Sequence, residues 1–317
     1  MLVPLVPSIP SIPSIPSVRA AARRGLAAAL VAGMALSGAA CSSSSKAAGP
    51  SGAPSSASGM DDMGEMAPVP ATTVAAAAPN GTGLASSVNG YVYLPSAESV
   101  PAGAASTFTF HITGPNDHAL TRYQPYESKL IVFYLIRSDL TGYRVLDATM
   151  RQDGTWFVAL PALQPGSYRT YVTFAAPDSS QGTPLLYALS KPLNVPGHTA
   201  DAALPPPTET AMADGFTVKL TGNLKAGASV PLDINVMSGG KPVAYFDRYL
   251  DGYAHLTAFR VGDAAFAHVL STGRAGASSS GALTATAQFS ERGTWRLFVQ
   301  FQTSGTLHTA AFTVTVS

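Results

Sequence analysis

The chain contains two stretches that repeat each other in order, one on each side of a proline-rich segment at residues 198–214. Chance does not produce so many matches in one order, so we predict a tandem duplication. The matched segments, first repeat then second, are 101–112 with 225–236, 116–120 with 240–243, 130–137 with 255–260, 138–143 with 262–266, 165–169 with 292–296, and Gly182-Thr183 with Gly305-Thr306.

Apolar and polar residues alternate within each repeat, as at residues 168–174 and 295–301. Period two predicts strands with one buried face, and about seven strands in ~110 residues predict a two-sheet sandwich. The uniformly apolar run at 130–136 fits a central strand covered on both faces. We therefore predict an all-β chain of two tandem immunoglobulin-like or cupredoxin-like β-sandwiches. Gly166 and Gly293 resemble the tight corner before a late immunoglobulin strand.

The N-terminus has the pattern of a secretion signal. Arg19, Arg23 and Arg24 precede a short apolar run at 26–36, and small residues then lead to Cys41, the single cysteine. This boundary resembles a bacterial lipobox, which implies cleavage before Cys41, acylation of its sulfur and anchoring to the outer face of the cell membrane. The alternative is a secreted protein with a stray thiol. The apolar run is shorter than the ~20 residues of a membrane-spanning helix.

Residues 41–86 are rich in Ser, Ala, Gly and Pro, which predicts a disordered tether. We divide the chain into a signal peptide at 1–40, the tether at 41–86, a first sandwich at 87–197, a connector at 198–214 and a second sandwich at 215–317. The net charge is +1 and no basic run occurs, so we expect no nucleic-acid partner. No catalytic motif is present, so we expect a protein that is not an enzyme.

Three methionines of the tether form a candidate copper site. Met60, Met63 and Met66 are spaced three residues apart and interleaved with Asp and Glu. Thioether sulfur is a soft ligand that selects Cu(I). The alternative is a chance cluster in a low-complexity segment.

Histidines of the second repeat form another candidate metal site. His255 and His308 each open a predicted strand, and His268 lies within one. Three imidazoles at one end of a sandwich would suit Cu(II) or Zn(II). The alternative is three unrelated histidines, each with its own hydrogen bond.

The repeats also resemble an actinobacterial secreted lipoprotein family with tandem β-sandwich repeats and an Asp-Leu-Thr-x-Phe-x-His-x-His-Pro motif. Residues 138–143 match the start of this motif, but Val145 and Asp147 stand at its histidine positions. The second repeat keeps His268 and has Leu270 at the second position. The resemblance implies the sandwich fold and copper or heavy-metal handling, with any site in the second repeat.

These observations lead to one functional hypothesis and one alternative. We expect a membrane-anchored extracytoplasmic lipoprotein that acts as a non-catalytic binding module with copper or heavy-metal affinity. The alternative is a metal-free adhesive or protein-interaction module of the cell envelope, which would bind an envelope protein partner.

Replacing Met60, Met63 and Met66 together with serine is expected to weaken Cu(I) affinity without changing folding, because the sulfurs are the soft ligands of the tether. Competition against a Cu(I) chelator measures the affinity, and thermal melting measures the folding. An unchanged affinity would leave the methionine cluster without a role in copper binding.

Overall fold

A computed structural model describes residues 81–177, 184–271 and 281–317. Within these ranges the regular structure consists of strands alone, so the predicted all-β, tandem-sandwich class is confirmed. The predicted signal peptide, Cys41, residues 41–80 of the predicted tether and the tether methionines lie outside the described residues. Residues 81–86, which the prediction also assigned to the disordered tether, are instead ordered against the sandwiches: the Ser190 N–H donates to the Ala85 carbonyl at 2.9 Å, and the Phe266 N–H donates to the Thr82 carbonyl at 2.7 Å. The described ranges contain no helix with the length and apolar character of a membrane span.

The first repeat forms two antiparallel sheets, with strand orders β1-β2-β3-β7-β6 and β5-β4-β8-β9. The strands are β1 (Ser87–Val88), β2 (Tyr91–Pro95), β3 (Ser106–Thr113), β4 (Val132–Arg137), β5 (Arg144–Leu146), β6 (Ala148–Met150), β7 (Trp156–Leu160), β8 (Gly166–Pro177) and β9 (Pro184–Val195).

The second repeat has the same order, β10-β11-β12-β16-β15-β14-β17-β18, with β13 beside β12. Its strands are β10 (Thr210–Ala213), β11 (Phe216–Thr221), β12 (Ser229–Ser238), β13 (Lys241–Pro242), β14 (Ala254–Arg260), β15 (Phe266–Ser271), β16 (Ala282–Gln288), β17 (Gly293–Thr303) and β18 (Thr306–Val316). Here β15 pairs with both β14 and β16, so it passes from one sheet to the other. The first repeat divides this strand into β5 and β6.

This strand order distinguishes between the two predicted topologies. β2-β3-β7-β6 corresponds to strands A-B-E-D of an immunoglobulin-like sandwich, and β5-β4-β8-β9 corresponds to C′-C-F-G. Each sandwich has its own apolar core, with Trp156 in the first and Trp295 in the second. The immunoglobulin-like topology is therefore the one that the chain adopts.

The apolar run at 130–136 is explained by a second layer of packing. In β4, Phe133 and Leu135 point into the core of their own sandwich, while Val132, Tyr134 and Ile136 belong to a separate cluster with residues of the second sandwich. We call this cluster the inter-sandwich interface. It consists mainly of Val132, Tyr134, Ile136, Tyr143, Tyr171, Phe259, Phe266 and Phe298. The two C′-C-F-G sheets therefore pack face to face.

The predicted corner before the late strand is present in both repeats. The Tyr168 hydroxyl donates to the Gln164 carbonyl at 3.0 Å, and Trp295 Nε1 donates to the Glu291 carbonyl at 3.3 Å. Gly166 has φ of 142°, where a Cβ atom would lie 2.7 Å from Arg137 Nε. The positive φ and the close arginine together require glycine at this turn.

Replacing Tyr168 with phenylalanine is expected to lower the free energy of unfolding by about 1 kcal/mol, because one intramolecular hydrogen bond is lost while the ring stays packed. Urea unfolding measures the effect. The matched control is Tyr245→Phe, whose side chain is 69% exposed and should change stability by less than ~0.5 kcal/mol. Equal effects of the two changes would contradict a role for this corner in stability.

Candidate metal centre

A tight turn that precedes β4 carries a carboxylate that is not among the residues predicted from the sequence. Glu127 and Ser128 both have positive φ, 51° and 56°, and Tyr126 and Lys129 exchange backbone hydrogen bonds at 2.8 and 2.9 Å around them. Two consecutive left-handed residues define a type I′ turn, which usually contains Asn or Gly. A glutamate in this conformation is strained, and such strain is concentrated at functional sites.

The Glu127 side chain crosses the inter-sandwich interface to two histidines of the second sandwich. Its Oε1 lies 3.1 Å from Nε2 of His268, and its Oε2 lies 3.8 Å from Nε2 of His255. One ligand atom from each of the three residues falls within 4.8 Å of the others. We call Glu127, His255 and His268 the Glu-His-His cluster.

His255 is oriented by a polar chain on its own sheet. Its Nδ1 donates to Gln300 Oε1 at 3.1 Å, and Gln300 Nε2 donates to Thr309 Oγ1 at 3.3 Å. The strand register His255–Gln300–Thr309 places these three side chains on one face. A proton on Nδ1 leaves Nε2 with a lone pair that points toward the Tyr134 hydroxyl at 3.3 Å and toward Glu127. Metal-binding histidines are usually held in this way.

The cluster contains polar atoms whose hydrogen-bonding capacity is not used. His268 Nε2 also contacts the Tyr126 hydroxyl at 2.9 Å, but its Nδ1 is buried without a partner. Glu127 Oε2 is likewise buried and unpartnered. Each unmade hydrogen bond of a buried polar group costs roughly 1–3 kcal/mol, more for a charged group. An ion between the side chains would give Oε2 a partner.

The surroundings fix the charge states of these groups. Burial acts to raise the pKa of the Glu127 carboxyl, but His268 and His255 outweigh it, so this pKa lies below its ordinary value. Burial lowers the pKa of His255, and the charge of Glu127 only partly opposes this effect. Burial, aided by the charge of Glu127, raises the pKa values of Tyr126 and Tyr134, so both hydroxyls stay protonated. At neutral pH the cluster thus holds an ionised carboxylate beside the neutral imidazole of His255.

The third predicted histidine lies elsewhere. His308 Nδ1 bonds Asp214 at 2.9 Å, its Nε2 contacts the Thr303 hydroxyl at 3.1 Å, and its ring packs on Phe216 and Phe301. Successive residues of a strand point to opposite faces of the sheet. In β18, Thr309 lies on the face that meets the interface, so the preceding residue, His308, points to the other face. The structure therefore brings His255 and His268 together with Glu127 and places His308 on the opposite face of its sheet.

The duplication shows how the three cluster residues could be recognised in the sequence. Alignment of the two repeats at Arg137 and Arg260 places His255 opposite Val132, His268 opposite Val145, and Glu127 opposite Leu250. Leu250 sits in a matching turn, in which Leu250 and Asp251 have φ of 49° and 61°. Val132, Val145 and Leu250 line one cleft of the interface. Each of these positions is thus polar in one repeat and apolar in the other. The three polar residues, Glu127, His255 and His268, meet at one site.

The fold and the site together define a tandem immunoglobulin-like sandwich protein with a two-histidine, one-carboxylate cluster between its sandwiches. A family model described as a domain of unknown function (DUF8832) matches residues 210–317, which form the second sandwich. The first sandwich lies outside this match. The comparison with curated proteins produced no match.

Three solved structures show a distant similarity. The adhesin FdeC of Escherichia coli is 15% identical over 73% of this chain and 65% of that one, with a TM-score of 0.24. InvD of Yersinia pseudotuberculosis is 14% identical over 73% and 58%, with a TM-score of 0.22. Domains 4–9 of the surface layer protein SbsC are 12% identical over 71% and 31%, with a TM-score of 0.22. The chain spans less than two thirds of each structure, and values this low carry no functional argument.

The cluster predicts how stability depends on pH. The folded-state pKa values of Glu127 and His255 both lie below their ordinary values, 4.5 and 6.5. Their contribution is therefore present at neutral pH and is lost as the pH falls, first for His255 below 6.5. Urea unfolding with a chelator present, at about pH 7.5 and pH 5.5, measures the free energy of unfolding. Between the higher and the lower pH, this free energy should decrease less for His255→Val than for the natural protein. Equal decreases would contradict this assignment.

Proposed function

We propose that this protein is a non-catalytic metal-binding module that is anchored outside the cell membrane by lipid on Cys41. The metal-binding part is supported by the Glu-His-His cluster, in which the Glu127 carboxylate lies 3.1 Å from Nε2 of His268 and 3.8 Å from Nε2 of His255, and one of its buried oxygens has no hydrogen bond. The lipid anchor is supported by the sequence pattern before Cys41. Met60, Met63 and Met66 remain a proposed second site, selective for Cu(I).

The donor set determines the class of ion. Two imidazole nitrogens and one carboxylate oxygen suit Zn(II) or Cu(II), whereas Cu(I) favours sulfur ligands. The separations fit as well, because ligands about 2.0–2.2 Å from one Zn(II) ion are roughly 3–3.5 Å apart. His268 and Glu127 already satisfy this spacing at 3.1 Å, whereas His255 Nε2, which lies 3.8 Å from the other carboxylate oxygen, would have to move closer. Glu127, His255 and His268 would therefore hold the ion.

The burial of the cluster supports a binding role over a catalytic one. The His255 and His268 side chains are 1% and 2% exposed, and the Tyr126 and Tyr134 hydroxyls lie against them. Three protein ligands leave a fourth position on Zn(II), which catalytic sites keep open for water or substrate and structural sites close with a further ligand. Enclosure by two tyrosines leaves little room for a substrate.

A second candidate function has an observation in its favour. The Glu127 Oε1 to His268 Nε2 distance of 3.1 Å is also that of a charge-assisted hydrogen bond. In that case the cluster is a metal-free polar contact, and the protein is an adhesive or protein-interaction module of the envelope. The Glu127 Oε2 atom, which has no hydrogen bond, favours the metal-binding function over this one, because a bound ion would give it a partner.

Calorimetric titration with Zn(II) and with Cu(II) tests the proposal. We expect one ion per chain at the interface, and Glu127→Gln, His255→Val and His268→Val should each weaken binding at least tenfold, which is about 1.4 kcal/mol. The matched control is His308→Ala, which removes a buried histidine outside the cluster and should leave the affinity unchanged. For Cu(II), these substitutions are made in the variant in which Met60, Met63 and Met66 are serine, so that the tether methionines do not contribute to the measured binding.

Loss of affinity in His308→Ala together with unchanged affinity in His255→Val would move the site away from the interface. The absence of saturable binding of either ion would instead favour the metal-free interaction module.

A further inference from the structure

The ligands of the Glu-His-His cluster come from both sandwiches. Glu127 belongs to the turn that precedes β4 in the first sandwich, whereas His255 lies on β14 and His268 on β15 of the second. Neither sandwich alone presents more than two of the three ligands. The site therefore exists only while the two sandwiches are docked.

The rest of the interface does not contain these ligands. At the far end of β14, Phe259 packs between Tyr143, Tyr171 and Phe266, with ring centroids 5.2–5.9 Å apart. Phe259 is four residues from His255, a distance of roughly 13 Å along a strand. Its side chain points away from the core of its own sandwich. The docking contact and the cluster can thus be altered separately.

The two ends of the interface differ in how well their polar groups are satisfied. The Tyr171 hydroxyl donates to the Ala264 carbonyl, and the Tyr143 hydroxyl donates to Thr257 Oγ1 at 3.0 Å. The cluster instead holds buried Glu127 Oε2 and His268 Nδ1 atoms without partners. Without an ion, the cluster is the weaker end of the interface.

We propose, resting on the metal binding argued above, that the bound ion is an inter-sandwich clamp, so that ion affinity and docking of the sandwiches are thermodynamically linked. An ion held by ligands from both sandwiches stabilises the docked state, and by reciprocity docking strengthens ion binding by the same factor. Metal availability would thereby control whether the two C′-C-F-G faces are covered or exposed.

The test uses the double variant Tyr171→Asp and Phe259→Asp. Its two carboxylates would face each other across the interface, at positions that supply no ligand to the cluster and whose rings now lie 5.2 Å apart. The matched control, Leu94→Asp with Tyr245→Asp, adds the same charge at positions that are 43% and 69% exposed, one in each sandwich. Fluorescence of Trp156 and Trp295 reports whether each sandwich is still folded. Small-angle scattering reports whether the sandwiches have separated.

We expect the double variant to bind Zn(II) at least tenfold more weakly than the natural protein and the control, with both tryptophan cores intact. Zn(II) should also reduce its radius of gyration. Equal Zn(II) affinity in the natural protein and the double variant would overturn the clamp while leaving the metal site itself in place. Failure of the natural protein to bind Zn(II) or Cu(II) would overturn both proposals, so the two failures are distinguishable.

Discussion

The face-to-face packing of the two C′-C-F-G sheets is the constraint on which the rest of this structure depends. It requires both faces of β4 and of β14 to carry apolar side chains or polar side chains with partners. One face of each strand meets the core of its own sandwich, and the other face meets the opposite sandwich. It also places the turn before β4 over the second sandwich, where Glu127 meets His255 and His268. Without this packing the three residues would be isolated polar side chains on two surfaces.

The duplication explains how a polar site could arise inside an otherwise apolar interface. Val132, Val145 and Leu250 occupy the equivalent positions and pack without any need for polar partners. Exchanging such a set for a carboxylate and two imidazoles is costly unless the buried charges are paired. A bound ion would offset that cost by pairing Glu127 with both histidines.

Sequence alone predicted the repeat, the strands and the corner at Gly166, because alternation and turn chemistry are local signals. It identified His255 and His268, but it grouped His308 with them and omitted Glu127. The grouping depended on which strands are neighbours and which face each residue takes, and Thr309 rather than His308 shares the face of His255. Glu127 was missed because docking of two sandwiches is a long-range event that no local pattern encodes.

A crystal structure of the Zn(II)-loaded protein, with anomalous scattering recorded at the zinc edge, tests the metal centre most directly. We expect one strong peak between the sandwiches, about 2.0–2.2 Å from a Glu127 carboxylate oxygen and from one nitrogen each of His255 and His268. A zinc peak beside His308 and Asp214, or a fully ordered Glu-His-His cluster without a peak, would contradict this expectation.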